Sequence, residues 1–127
     1  MEVCVERLTG EFQSQVLKTL TEKPNIHEAV ANIFQKTKQY VCELIGTWYT
    51  EIDHALLEDR SIQRRYKVQH KGRERTVYTE LGAITYYRSY YKDRSKGKNV
   101  YLVDEYNQLE PYQRLSDGLR IKLVGAA

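Results

Sequence analysis

The sequence predicts an α+β domain: a long N-terminal amphipathic helix packed on a small antiparallel β-meander, with a short C-terminal helix. Three observations carry that prediction. Apolar residues recur every three or four positions through residues 25–59, which is helical periodicity. From about residue 64 the period drops to two, and β-branched and aromatic residues take over, as strands require. Ser116-Asp117 then offers an N-cap before a last apolar stretch. The 127 residues fit one domain. Its parts are a helical lead-in over 1–24, the long helix over 25–59, a basic antiparallel sheet over 64–103, and a C-terminal loop and helix over 104–127.

The lead-in holds one modest amphipathic stretch, Phe12, Val16, Leu17 and Leu20, ending near Lys23-Pro24, and predicts a short helix. Asn25 then precedes Glu28 by three positions. This is capping-box spacing, with Asn25 accepting from orphan amides and Glu28 reaching back. The helix that begins there aligns Val30, Ile33, Thr37, Val41, Leu44, Trp48, Ile52 and Ala55, with Phe34, Ile45, Tyr49 and Leu56 widening the stripe. At ~1.5 Å per residue it would span roughly 50 Å, longer than a compact domain of this size needs. Either Gly46 breaks it or part of it packs against another chain. A wide stripe containing Trp48 suits a covering sheet better than a coiled-coil seam, and a homodimer through this helix stays open.

Tyr66, Val68 and His70 alternate with Arg65, Lys67 and Gln69. Lys71-Gly72 can supply a tight turn, and Arg75 to Thr79 is rich in β-formers, so a hairpin is expected. Gly82 marks a second turn into residues 83–91. The polar residues 92–99 read as a loop, and Val100 to Val103 as a last strand. The helix opened by Ser116-Asp117 would carry Leu119, Ile121, Leu123 and Val124.

Charge is segregated along this framework. Residues 60–100 hold twelve Lys and Arg against three acids, a local +9, whereas residues 1–59 hold five bases against ten acids. Such asymmetry concentrates ligands of opposite sign, and the obvious polyanion is nucleic acid. Bases alternating along strands would share one face of a sheet whose other face packs on the helix. Lysines and arginines also discourage edge-to-edge aggregation of strands; twelve against three exceeds that need. Eight tyrosines lie between Tyr66 and Tyr106. Tyrosine can stack on bases, but for Tyr86, Tyr87, Tyr90 and Tyr91 cross-strand packing is the better account, because adjacent residues point to opposite faces.

Other functions find little support. At 41% hydrophobic and 29% charged residues the composition is that of a globular protein. No run suits a membrane span, and the acidic start lacks the features of a signal peptide, so a cytoplasmic protein is expected. Cys4, Cys42, His27, His54 and His70 are scattered, with no metal spacing, and the cysteines read as reduced structural thiols. Glu51, Asp53, Glu58 and Asp59, with His54, share one helix and read as its solvated face. No phosphate loop, zinc-protease motif or nucleophilic triad is present, and no catalytic residue or cofactor is expected for this chain.

Four stretches carry a resemblance: Arg-Arg-Tyr-Lys-Val at 64–68, the run from Arg75 to Tyr91, Tyr-Leu-Val-Asp-Glu at 101–105, and Leu-Glu-Pro-Tyr-Gln-Arg-Leu-Ser at 109–116. Together they resemble the N-terminal region of bacterial insertion-sequence transposases of the ISLre type. Thr79, Gly82, Arg88, Tyr90, Tyr91, Asp104, Glu105, Arg114 and Ser116 occupy the matching places. The resemblance implies a longer protein that continues into a ribonuclease-H-like domain with metal-binding acidic residues, so this chain would be an excised domain or truncated copy. Divalent metal is expected only there, and no zinc knuckle is expected in the 93–98 loop.

The combined expectation is a DNA-binding N-terminal domain that holds transposon ends without catalysing strand transfer. Its phosphate contacts would be Arg64, Arg65, Lys67, Lys71, Arg73, Arg75, Lys92, Arg94, Lys96 and Lys98, with Arg88 a buried structural cation instead. Such contacts give strong salt dependence and little base specificity. The alternative is a module that dimerises through the long helix, or docks its basic sheet on an acidic catalytic domain, without touching DNA.

Overall fold

Two antiparallel helices form the N-terminal half of the computed structural model, which describes residues 2–23, 25–110 and 113–120. Helix α1 (Glu2–Glu22) packs along the first half of α2 (Ile26–Glu58). Phe12 stacks on Tyr40 at 4.5 Å between ring centroids, and the buried Thr19 hydroxyl lies 3.1 Å from Asn32 Oδ1. The lead-in is thus nearly all helix, longer than its apolar pattern suggests. Asn25 caps α2, its side chain accepting from the Glu28 amide at 2.9 Å. Asp59 ends α2 and in turn caps the short α3 (Arg60–Arg65), accepting from Ser61 and Ile62 amides. Among the described residues no helix is long and apolar enough to cross a membrane.

Helix α2 runs unbroken through Gly46, contrary to one of the two expectations for its length. The glycine is there for contact: a Cβ at this position would fall 2.2 Å from the Thr85 carbonyl oxygen. One and two turns further on, Thr50 and Asp53 continue the same face of the helix. Thr50 Oγ1 accepts from the Tyr87 amide at 3.1 Å, and Asp53 accepts from the Ser89 amide at 2.8 Å and the Ser89 hydroxyl at 2.7 Å. These alternate amides lie on one edge of a strand, so α2 takes the place that a further strand would hold. Asp53 is 2% exposed; the expectation of a solvated acidic face fails for this residue because β2 presents donors to it. His54, Glu58 and Asp59 are exposed as expected.

The sheet has three strands in the order β1-β2-β3, all antiparallel neighbours. Strand β1 (Tyr66–Thr79) turns at Glu80-Leu81 into β2 (Gly82–Asp93), pairing from Thr79 with Gly82 to Tyr66 with Asp93. Lys71-Gly72 is therefore not a chain reversal. Residues 66–79 form one strand, whose register shifts between Val68 and His70 and again between His70 and Arg73. Gly72, at φ 69°, serves this irregularity rather than a turn. Strand β3 is only Asn99–Val100, and the apolar run after it becomes helix α4 (Leu102–Tyr106) rather than more strand.

The core joins Cys42 of α2, Val77, Ile84 and Tyr86 of the sheet and Val103 of α4, with Ile45, Tyr49, Ile52 and Leu56 packed around it. Burying each large apolar side chain contributes about 1.5–3 kcal/mol. The segment after α4 returns to the outer edge of β1: the Tyr78 amide donates to the Arg114 carbonyl at 2.7 Å and the Ser116 amide to the Tyr78 carbonyl at 2.9 Å. Ser116 then caps the turn over 117–120 through the Leu119 amide. The expected continuation through Ile121, Leu123 and Val124 lies outside the described residues.

Candidate nucleic-acid interface

Nine of the ten expected phosphate contacts are exposed: Arg64, Arg65, Lys67, Lys71, Arg73, Lys92, Arg94, Lys96 and Lys98. Most gather where the hairpin meets α3. Lys67 stands directly opposite Lys92 in the register, and the Arg94 amide donates to the Arg65 carbonyl at 2.8 Å, folding the 93–98 loop against α3. Like charges directly opposed across a strand pair destabilise it, so this end of the sheet accepts a cost that an anionic partner would remove. Lys71, Arg73 and Lys98 extend the basic surface along the hairpin toward a cleft described below.

The loop itself is rigidly seeded. Asp93 is 5% exposed and accepts from the Ser95 amide and hydroxyl, the Lys96 amide and, at 3.4 Å, Arg65 Nη2. The Ser95 hydroxyl bond, chiefly, holds its carboxyl below the ordinary 3.8, at about 2. Asp93 thus organises the cations around it and neutralises little of their charge, since only Arg65 among them pairs with it.

Arg75 departs from expectation. It is 7% exposed; its Nη1 donates to Asp104 at 2.7 Å and its Nη2 to the carbonyls of Glu110 and Gln113, each at 2.8 Å. With three acceptors it ties α4 and the returning segment to β1, and with its side chain only 6% exposed it is not presented at the surface to a phosphate. Asp104, 5% exposed, also accepts from Arg88 Nη1 and from the Tyr86 hydroxyl at 2.5 Å. Burial, then this bond, pushes the Tyr86 phenol well above its ordinary value. Arg88, expected as a buried structural cation, is half-buried, its guanidinium 3.6 Å from the Tyr101 ring centroid. Tyr91 is buried as well, its phenol pushed up to about 12, first by burial and then by the charge of Asp53.

Between the sheet, β3, α4 and the returning segment lies a cleft of about 800 Å³. Arg73, Lys98 and Arg114 stand on it, with Tyr90 and Tyr101 stacked at 4.6 Å. Arg114 was absent from the expected contacts, because nothing in the sequence around it shows that Arg114 and Ser116 fold back on β1. Among the described residues no group of three or more His, Cys, Asp or Glu is placed to hold a metal ion.

A family model described as an uncharacterised protein family, UPF0236, matches residues 19–127. One UPF0236 protein of Caldanaerobacter subterraneus subsp. tengcongensis is 37% identical over 116 residues, covering 91% of this chain and 25% of its own length. A second from the same organism is 35% identical over 105 residues, covering 83% of this chain and 22% of its own. The chain therefore spans about a quarter of the length of the curated relatives it matches. No solved structure matches.

Proposed function

The chain belongs to the UPF0236 family, an uncharacterised protein family, and from that premise we propose that it is the DNA-binding N-terminal domain of a transposase. The observation that carries the reading is the basic end of the hairpin, where six of the nine exposed cations gather and Lys67 faces Lys92. The relatives add support. The name of the first joins eleven locus designations and that of another joins four, and a protein carried at many loci of one bacterium is the expected trace of a mobile element. DNA phosphates would be held by Arg64, Arg65, Lys67, Lys71, Arg73, Lys92, Arg94, Lys96 and Lys98, in the cytoplasm, where transposon ends are reached. Strand transfer, with its divalent metal, falls to the remainder of the longer relatives.

Fluorescence anisotropy with duplex DNA tests this. If six or more phosphates are contacted, affinity falls roughly a thousandfold or more between about 50 and 200 mM salt. The Lys67→Ala/Lys92→Ala variant weakens binding while keeping its fold. Absence of binding at low salt overturns the proposal.

A second reading rests on the far end of the molecule. Leu17 and Leu20 of α1 and Ile26, Val30 and Phe34 of α2 are all more than half exposed around the helical hairpin, and apolar patches of this kind mark contact surfaces. The chain would then dimerise or dock within its full-length protein. Concentration-dependent mass together with no DNA binding would favour that reading over the first.

A further inference from the structure

The floor of the cleft carries more positive than negative charge. Arg75 and Arg88, with side chains 6% and 17% exposed, share the single carboxylate of Asp104. Two guanidiniums against one carboxylate leave one positive charge without a counter-charge in a poorly solvated place, which is costly unless an anion joins them. The Nε of Arg88 is buried with no hydrogen-bond partner among the described residues, so this cation is incompletely satisfied as well as incompletely neutralised. Arg73, Lys98 and Arg114 stand above it, all exposed. The carboxylates of Glu74 and Glu105 also line the cleft, and its formal balance remains positive by two.

The walls are suited to more than a bare ion. Tyr90 and Tyr101 lie nearly parallel, 15° apart, with the Arg73 guanidinium 5.7 Å from the Tyr90 ring centroid. Asn99 on β3 adds an amide at the wall. Planar aromatic and guanidinium surfaces beside a cationic floor suit a base and its phosphate together. A duplex keeps its bases stacked and cannot offer this, whereas an unpaired nucleotide can.

We propose that this cleft binds one unpaired nucleotide of DNA, its phosphate above Arg88 between Lys98 and Arg114 and its base against the Arg73 guanidinium and the face of Tyr90 turned away from Tyr101, whose own ring is covered by Arg88 and Tyr90. The proposal rests on the DNA-binding reading but assigns a different ligand to an adjoining surface, which shares Arg73 and Lys98 with the duplex contacts. The basic end of the hairpin would hold duplex backbone, and the cleft an opened or single-stranded end.

The test compares a short single-stranded oligonucleotide with a duplex of the same sequence, using the chain, the cleft variant Arg114→Glu and the flank variant Lys67→Ala/Lys92→Ala. The expected result is that the cleft variant loses about tenfold or more on the single strand and stays within about twofold on the duplex, while the flank variant does the reverse. Equal loss on both ligands, no loss on either, or no single-strand binding by the parent overturns the proposal. Single-strand binding that depends on the cleft, with no duplex binding at all, would remove the duplex reading and leave this one standing. Circular dichroism of each variant confirms that the fold is kept.

Discussion

Asp104 accepts from two guanidiniums and a phenol while 5% exposed, so Asp104→Asn strands two cations around a neutral amide. The expected loss is about 3–5 kcal/mol in urea unfolding, the cost of breaking a buried ion pair from one side. Asp93 behaves differently because its carboxyl is lowered to about 2 from an ordinary 3.8. A depressed carboxyl stabilises the fold above its unfolded value and loses that contribution as pH falls through the folded one. The stability gap between the parent and Asp93→Asn should therefore be constant above about pH 5 and close between about pH 4 and 2, as acid unfolding followed by circular dichroism would show. At Lys67 stability and function pull apart: Lys67→Glu replaces a repulsive cross-strand pair with an attractive one, gaining about 0.2–1 kcal/mol while weakening duplex binding. A loss of both would mean that Lys67 is structural. At this scale the sequence showed which residues are charged but not which are buried. Arg75 and Asp53 have partners 29 and 36 positions away, and alternation along a strand carries no trace of them.

Among the elements, α2 was legible because a 3.6-residue period sustained over nine turns leaves little room for error, and Asn25 marked its start. Gly46 was read as a possible break because glycine weakens helices; its role is visible only beside Thr85. The two readings predict opposite outcomes. Gly46→Ala should destabilise by about 1–3 kcal/mol, the usual cost of overpacking, despite its helix propensity gain. Gly10→Ala on α1, where an added Cβ meets nothing within 4 Å, should stabilise by about 1 kcal/mol. Thermal unfolding of the pair separates them in sign. Elsewhere, Leu102 and Val103 were read as strand and open α4 instead, because a short apolar run does not distinguish strand from helix. Lys71-Gly72 was misread because a bulge and a turn draw on the same residues.

Across the whole molecule, charge and greasy surface sit at opposite ends: exposed cations on the hairpin, exposed Leu and Phe at the helical tip. The segregation of charge was plain in the sequence, whereas the cleft was not, since it forms only when Arg114 and Ser116 return to β1. Self-repulsion at the basic end gives salt two opposite effects. Without DNA, raising ionic strength shortens the Debye length from about 30 Å at 0.01 M to about 8 Å at 0.15 M and should raise the melting temperature. With DNA bound, the same change should lower it by releasing the ligand. Calorimetry showing the same direction in both cases would argue against DNA as the partner.

The three acceptors of Arg75 also impose an order on the nascent chain. Asp104, Glu110 and Gln113 follow it by 29, 35 and 38 positions. Until Gln113 has left the ribosome, the hairpin holds an arginine in its interior side without the groups that make this tolerable. The helices and the β1–β2 hairpin can form as they emerge, but the contacts of Arg75 are complete only when Gln113 arrives. A domain boundary drawn before that point would yield a soluble-looking hairpin that never locks.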